Sequence, residues 1–269
     1  MRIGQIGFGF VGGALHRSLR KKSVKTAVYD KHQEIGSIED LLSTDAVFLC
    51  LPTPYVDGHG FDLSAIIENL KALSQKDYGG LVVIKSTIEP GITESLGLRF
   101  KSLQLCHNPE FLTARTADED FHNQKHIILG YNDLPNLEIK KVEALLDFFK
   151  KHYPKADISL CKSTESESMK LFCNNFYAMK VQIFNEFYFL CQKKGIDFDV
   201  VKDLMIKNDW INPMHTKVPG PDGSPSYGGA CFPKDTNALN HFMKTSGSPR
   251  GILDACIKER DLMREHKLK

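Results

Sequence analysis

The chain has 269 residues, 42% of them hydrophobic and 25% charged, with a formal net charge of +2. This balance fits one large or two medium globular domains and excludes a disordered tail, a coiled coil or a nucleic-acid-binding arm. Seven cysteines, at 50, 106, 161, 173, 191, 231 and 256, make no close pair and no Cys-x-x-Cys, which argues for a reducing compartment and against a disulfide framework or zinc site.

Met1 leads straight into a strand pattern with no apolar signal region, and no apolar run approaches the ~20 residues needed to cross a bilayer. The expectation is a cytoplasmic protein without membrane contact. Residues 1–6 read as a short buried strand, followed at once by Gly7-Phe8-Gly9-Phe10-Val11-Gly12 and a helix through Leu15 and Leu19. In Gly-x-Gly-x-x-Gly order the first glycine allows a tight turn, the second lets a pyrophosphate approach the backbone, and the third lets the helix pack on the strand. Phe10 and Val11 then lie where the helix start offers free N–H groups. A second strand over 25–29 ends in Asp30, at the distance where an acid binds the adenosine ribose hydroxyls. A carboxylate there repels a 2′-phosphate, so NAD is expected rather than NADP. The alternative is a glycine-rich turn in some other α/β fold. Arg20-Lys21-Lys22 reads as a solvated helix end.

Strand and helix patterns keep alternating through 46–51, 63–73, 81–84, 127–129, 137–149 and 158–160, which predicts a Rossmann-like, doubly wound parallel sheet over residues 1–162. Ligands bind at the carboxyl ends of such strands. Pro52-Thr53-Pro54, Ser86-Thr87 and Asn108-Pro109-Glu110 are therefore expected to face the cofactor and the reacting carbon, unless they are ordinary turns.

At Ser163 the pattern changes. Glu165 to Glu167 suit a helix N-terminus, and helical spacing runs from there to Cys191 and stops at Gly195. This long helix opens an all-α domain over residues 163–269. Lys170 and Asn174 are four apart on it and share a face. Phe172, Phe176, Phe184, Phe187 and Phe189 cover more than one face, so a homodimer packed with two-fold symmetry is expected. The Pro- and Gly-rich segment 209–226 reads as a loop leading to Tyr227-Gly228-Gly229-Ala230-Cys231-Phe232-Pro233-Lys234-Asp235. Two glycines give a substrate backbone room beside Cys231, and a nearby lysine favours a thiolate. The alternative is a Gly-Gly turn, a packing cysteine and a helix capped near Asp235. A last helix is expected from Ile252 to Leu268. The ten histidines show no metal spacing, His122 and His126 included, and no metal is expected.

The fingerprint Gly7–Gly12 with Asp30, Ser86-Thr87 before Pro90-Gly91, Asn108-Pro109-Glu110-Phe111-Leu112, Lys170 with Asn174, and Gly228-Gly229-Ala230-Cys231-Phe232-Pro233-Lys234-Asp235 occur in one order. Together they resemble the UDP-glucose/GDP-mannose dehydrogenase family over nearly the whole chain. The resemblance implies oxidation of the C6 alcohol of a nucleotide sugar to a carboxylate with two NAD⁺. It implies Cys231 as the nucleophile, Lys170 and Asn174 as oxyanion donors, Asp235 and Thr87 as holders of a proton-transfer water, and Glu110 as the residue assisting thioester hydrolysis. Gly7, Gly9, Phe10, Val11, Gly12, Asp30, Pro52, Thr53, Ser86 and Thr87 would bind the cofactor. Glu110, Phe111, Leu112, Lys170, Asn174, Tyr227, Gly228 and Gly229 would bind the sugar nucleotide. UDP-glucose oxidised to UDP-glucuronate is the first expectation. GDP-mannose, a UDP-N-acetylhexosamine and a non-catalytic NAD-binding regulatory role are the alternatives. Thr113-Ala114-Arg115 stands where the family commonly carries a second glutamate, and Trp210 where it carries a substrate-contacting arginine. Typical members continue into a second Rossmann-like domain, whereas this sequence stops at Lys269.

Overall fold

The computed structural model describes residues 1–265. In chain order the first elements are β1 (Ile3–Ile6), α1 (Phe10–Lys21), β2 (Thr26–Tyr29), β3 (Ala46–Leu49), the short strands β4 (Tyr55–Val56) and β5 (Gly60–Phe61), α2 (Ser64–Gln75), β6 (Leu81–Ile84) and α3 (Ile92–Arg99). They continue with β7 (Gln104–His107), α4 (Ala117–His122), β8 (His126–Tyr131), α5 (Ile139–His152), β9 (Asp157–Lys162) and α6 (Ser163–Lys194). The series ends with α7 (Phe198–Ile206), α8 (Phe232–Thr245) and α9 (Gly251–Glu265). The expected last helix is thus present to Glu265, and its remainder to Leu268 lies outside the described residues.

The chain forms two compact units, Met1–Pro54 with Phe61–Lys170, and Tyr55–Gly60 with the chain from Leu171 onward. The first carries a seven-stranded sheet in the order β2-β1-β3-β6-β7-β8-β9. Period-two alternation sends side chains of one strand to opposite faces, and the two cores follow it. Ile3, Phe48, Leu81 and Val83 join Leu15 and Leu19 of α1 and Leu145 and Phe149 of α5. Ile6, Val47, Leu49, Val82 and Ile84 join Ile66, Leu70 and Leu73 of α2 and Leu96 of α3. Each such side chain, fully buried, contributes roughly 1.5–3 kcal/mol to the fold. Strands covered on both faces read as continuous apolar runs, which is why 81–84 was legible to the residue.

The sheet is not wholly parallel. β7 and β8 pair antiparallel, with His107 opposite Gly130, whereas β8 and β9 pair parallel. The strand β7 carries the polar residues Gln104 and His107 and has no apolar run, so the alternation pattern passes over it. Glu167 also corrects the reading of the long helix's start. Glu165 accepts from the Lys162 N–H at 2.9 Å, as expected of a first-turn acid. Glu167 is instead buried and accepts from the N–H groups of Gly91 and Thr93 at 2.6 and 2.8 Å, capping α3.

In the second unit α6 is the common wall. Ala178 and Val181 pack with Tyr227 and with Cys256 of α9. Phe184 and Cys191 pack with Phe198 of α7. Of the five phenylalanines singled out above, Phe184 is buried, whereas Phe172 and Phe176 are 54% and 60% exposed.

Candidate active site

In the first unit the glycine fingerprint has the expected build. Gly7 sits at φ +93°, and a Cβ on Gly12 would lie 2.1 Å from the Gly7 carbonyl oxygen, so neither position admits a side chain. A Cβ on Gly9 would meet nothing within 4 Å, which leaves open space at the start of α1. That start has no side-chain cap and no acidic residue in its first turn, so its N–H groups suit an anion. Gln5, fully buried, donates from Nε2 to the carbonyls of Gly7 and Gly12, both at 3.1 Å, and ties the loop from below. The sequence reading had passed over this glutamine.

Asp30 is buried at the end of β2. Its Oδ2 accepts from the Phe8 N–H at 2.6 Å and its Oδ1 from those of His32 and Gln33 at 2.9 and 3.0 Å. Burial opposes ionisation of this carboxyl, but the N–H groups of Phe8, Gln33 and His32 hold it below the ordinary carboxylate range. The neighbouring strand ends are tied together. Ser86 accepts from the Leu51 N–H at 3.1 Å and donates to the Leu51 carbonyl at 2.7 Å, and Thr53 donates to the Thr87 carbonyl at 2.7 Å. Thr53 and Ser86 are buried and Pro52 is exposed.

Past β7, Glu110 forms an ion pair with Lys170 of α6 at 3.1 Å, with side chains only 10% and 6% exposed. The other Glu110 oxygen accepts from the Leu112 N–H at 2.6 Å. The Lys170 ammonium lies 5.5 Å from the exposed Phe111 ring. Beneath them sits Lys85, a residue the sequence reading did not single out. It is 3% exposed, and its ammonium donates to the backbone and side-chain oxygens of Asn108 at 3.1 and 2.9 Å. Burial pushes it down to about 8, against the pull of the Glu110 carboxylate. Burial also pushes the thiols of Cys50 and Cys106 up to about 12 and His107 down to about 3.

In the second unit Cys231 is half-buried at the N-cap position of α8, with Pro233 in the first turn. Asp235 is therefore one turn inside the helix rather than its cap. It is fully buried, with Oδ1 paired to the Lys234 ammonium at 2.5 Å and Oδ2 accepting from the Asn174 amide at 2.6 Å. A Cβ on Gly229 (φ +77°) would meet nothing within 4 Å, whereas one on Gly228 would strike Arg264 and Asp222 at 2.4 Å. Tyr227 is buried, its hydroxyl 3.5 Å from that of Thr236 and its carbonyl accepting from Arg260 at 3.3 Å. Two buried amides of α6 hold the residue before it: Asn185 accepts from the Ser226 N–H at 2.8 Å, and Gln182 accepts from the Ser226 hydroxyl. Their signal in the sequence is a pair of amides on an otherwise apolar helix face. Trp210 is 89% exposed. Among the described residues no three His, Cys, Asp or Glu side chains form a group that could hold a metal, and no helix is long and apolar enough to cross a membrane.

Residues 34–150 match the NAD binding domain of the UDP-glucose/GDP-mannose dehydrogenase family, and residues 164–259 match that family's central domain. A UDP-glucose 6-dehydrogenase from Rickettsia bellii is 31% identical over 237 residues, covering 82% of this chain and 50% of the relative. One from Haloferax volcanii is 29% identical over 256 residues, covering 89% and 57%. The chain thus spans about half the length of the curated relatives it matches. A UDP-glucose dehydrogenase structure from Pyrobaculum islandicum superposes with a TM-score of 0.84 at 24% identity, over 97% of this chain and 68% of that one, which shows a shared fold.

Proposed function

On the premise that the chain belongs to the UDP-glucose/GDP-mannose dehydrogenase family, we propose that it oxidises the C6 alcohol of UDP-glucose to the carboxylate of UDP-glucuronate, with Cys231 as nucleophile. NAD is its cofactor. The glycine cradle fits that group: open space at Gly9, uncapped N–H groups at the start of α1, and the Asp30 carboxylate at the end of the next strand. The observation that carries the catalytic reading is Cys231 itself. It is partly exposed, stands at a helix N-terminus that favours an anion, and lies two residues after Gly229, where a Cβ would meet open space.

When bound, the nicotinamide cofactor would supply the hydride acceptor for each of the two oxidations at C6. In the first, the hydroxyl proton passes to a water held by Thr87 and Asp235, while Lys170 and Asn174 donate to the oxygen as charge develops there. An aldehyde is a poor hydride donor until its carbon is tetrahedral. The Cys231 thiolate adds to it, and loss of hydride leaves a thioester. Glu110 then takes a proton from the water that hydrolyses this thioester. Asp235 is already held at both oxygens by Lys234 and Asn174, which suits a residue that orients a water.

The direct test follows NADH while the purified chain is incubated with NAD⁺ and, separately, UDP-glucose, GDP-mannose and a UDP-N-acetylhexosamine. Two NADH per UDP-glucose is the expected result. Turnover of another sugar alone moves the substrate, and NAD⁺ binding without turnover of any sugar overturns the catalytic reading.

Cofactor choice gives a second expected result. A 2′-phosphate would meet the Asp30 carboxylate, so NAD⁺ is expected to bind at least about tenfold more tightly than NADP⁺. Equal affinities in a titration would remove Asp30 from the ribose site.

The apolar stripe on α6 motivates a third. Phe172, Phe176, Ile183 and Leu190 are 54, 60, 41 and 55% exposed, and we infer that a second copy covers them as a two-fold dimer. Light scattering at micromolar concentration is expected to give twice the chain mass, and a monomer would leave the stripe to some other cover.

A further inference from the structure

Buried lysines ordinarily pair with a carboxylate, because removing an ammonium from water is strongly unfavourable. Lys85 does not: among the described residues it forms no ion pair, and its ammonium is held by the two oxygens of Asn108. The rest of its shell is aromatic, with the rings of Phe121 and Phe48 centred 5.2 and 6.0 Å away. An ammonium buried without a carboxylate partner calls for a reason for its placement.

That reason lies two residues along the chain. Asn108 is fixed on three sides: its N–H donates to the Ile84 carbonyl at 2.8 Å, its amide donates to the Ile128 carbonyl at 2.7 Å, and its oxygens take the Lys85 ammonium. Pro109 follows with a ring-locked φ, and then Glu110, itself held by Lys170 and the Leu112 N–H. Charge points the same way. The titratable groups around Lys85 are Cys50 beyond β3, Cys106 on β7, Glu110, and Lys170 on α6, with His107 of β7 beside them. The thiols and the imidazole are held neutral by burial, so the Lys85 ammonium faces one carboxylate, that of Glu110, which is itself ion-paired with Lys170.

We propose that Lys85 is a positioning residue for thioester hydrolysis: it pins Asn108 so that the Asn108-Pro109-Glu110 turn presents the Glu110 carboxylate to the attacking water. This rests on the reading of Glu110 given above. In that step the water oxygen bonds to the thioester carbon and one water proton passes to Glu110. The carbon–sulfur bond breaks, its electron pair leaves with the Cys231 sulfur as thiolate, and the sugar is released as the carboxylic acid. Lys85 touches none of these atoms.

The test compares the whole chain with its Lys85→Met, Lys85→Gln and Glu110→Gln variants, supplied with NAD⁺ and UDP-glucose. Both Lys85 variants are expected to lose turnover by roughly 10- to 100-fold, the size of a misplaced general base, with the sugar's Michaelis constant unchanged. Intact mass spectrometry is expected to show the acyl adduct accumulating on Cys231, as in Glu110→Gln. Hydrogen exchange supplies a readout free of activity: the Leu112 amide, bonded to Glu110, is expected to exchange faster in both Lys85 variants. Lys85→Gln keeps a donor and guards against a misfolded Lys85→Met. Wild-type turnover in the variants overturns the proposal, as does slow turnover with no adduct while Glu110→Gln accumulates one. If wild type oxidises no nucleotide sugar, it is the functional reading that fails. Leu112 exchange then decides alone, faster exchange upholding the pinning role of Lys85 and unchanged exchange refuting it.

Discussion

Cys231→Ser is expected to reduce the formation of two NADH per UDP-glucose by about 10³-fold or more, the scale on which loss of a covalent nucleophile is felt. A serine hydroxyl ionises far less readily than a thiol, and a thiolate both attacks an aldehyde and leaves an acyl carbon more readily than an alkoxide. The second oxidation needs a tetrahedral carbon that can release hydride, so removing the sulfur stops the sequence at the aldehyde. Two controls sharpen the test. Burial pushes the Cys50 thiol up to about 12 and the Cys256 thiol up to about 11, which keeps both protonated near neutrality. Cys50→Ser and Cys256→Ser are therefore expected to keep most of the activity. Full two-step turnover by Cys231→Ser, measured as NADH per sugar consumed, would sink the covalent mechanism.

Lys170→Met carries the second large effect, and it acts on folding and on rate at once. The Lys170–Glu110 pair is 3.1 Å long with both side chains at or below 10% exposed, so removing the ammonium leaves a buried carboxylate without its cation. Breaking one side of a buried pair destabilises by about 3–5 kcal/mol. Losing an oxyanion donor is expected to slow the first oxidation by about 10²-fold or more in kcat. The two effects separate in the double variant. Lys170→Met with Glu110→Gln has no stranded charge and is expected to recover most of the stability while remaining slow. Denaturant melts and kcat on wild type, Lys170→Met, Glu110→Gln and the double variant check this. A double variant as unstable as Lys170→Met would show that the pair's charge is not what holds this region, and wild-type kcat in Lys170→Met would remove it from the oxyanion.

The elements that the sequence made legible share a local cause. Ala46–Leu49 and Leu81–Ile84 are buried on both faces and appear as unbroken apolar runs. The turn from Gly7 to Gly12 shows itself because a positive φ at Gly7 and a 2.1 Å approach at Gly12 forbid any side chain. Ser163 to Lys194 is continuously helical, as the spacing from Ser163 to Cys191 predicts, and Gly195 (φ +65°) ends it in the left-handed conformation only glycine adopts freely. β7 was missed for the converse reason: Gln104 and His107 interrupt its apolar character, and what pulls it into the sheet is pairing with β6 rather than its own pattern.

By itself, then, the sequence determined the α/β alternation, the dinucleotide turn with Asp30 and the long helix, because each is written in residue type and spacing along a short stretch. Cys231, Lys170, Asn174, Asp235 and Glu110, by contrast, took their proposed roles only through the resemblance of their motifs, taken in order, to the dehydrogenase family. Only the tertiary structure decided what those residues touch. Lys170 meets Glu110 across 60 positions of chain, Glu167 caps α3 from α6 across 76 and 74, and Asn174 holds Asp235 across 61. A lysine and a glutamate far apart in sequence read as solvated surface residues. Where a strand end and a helix bring them together out of water, an unpaired charge becomes unfavourable and the two side chains pair. Lys85 is the extreme case: nothing in Ile84-Lys85-Ser86 marks it as buried, and its contact with Asn108 exists only because β6 and β7 lie side by side.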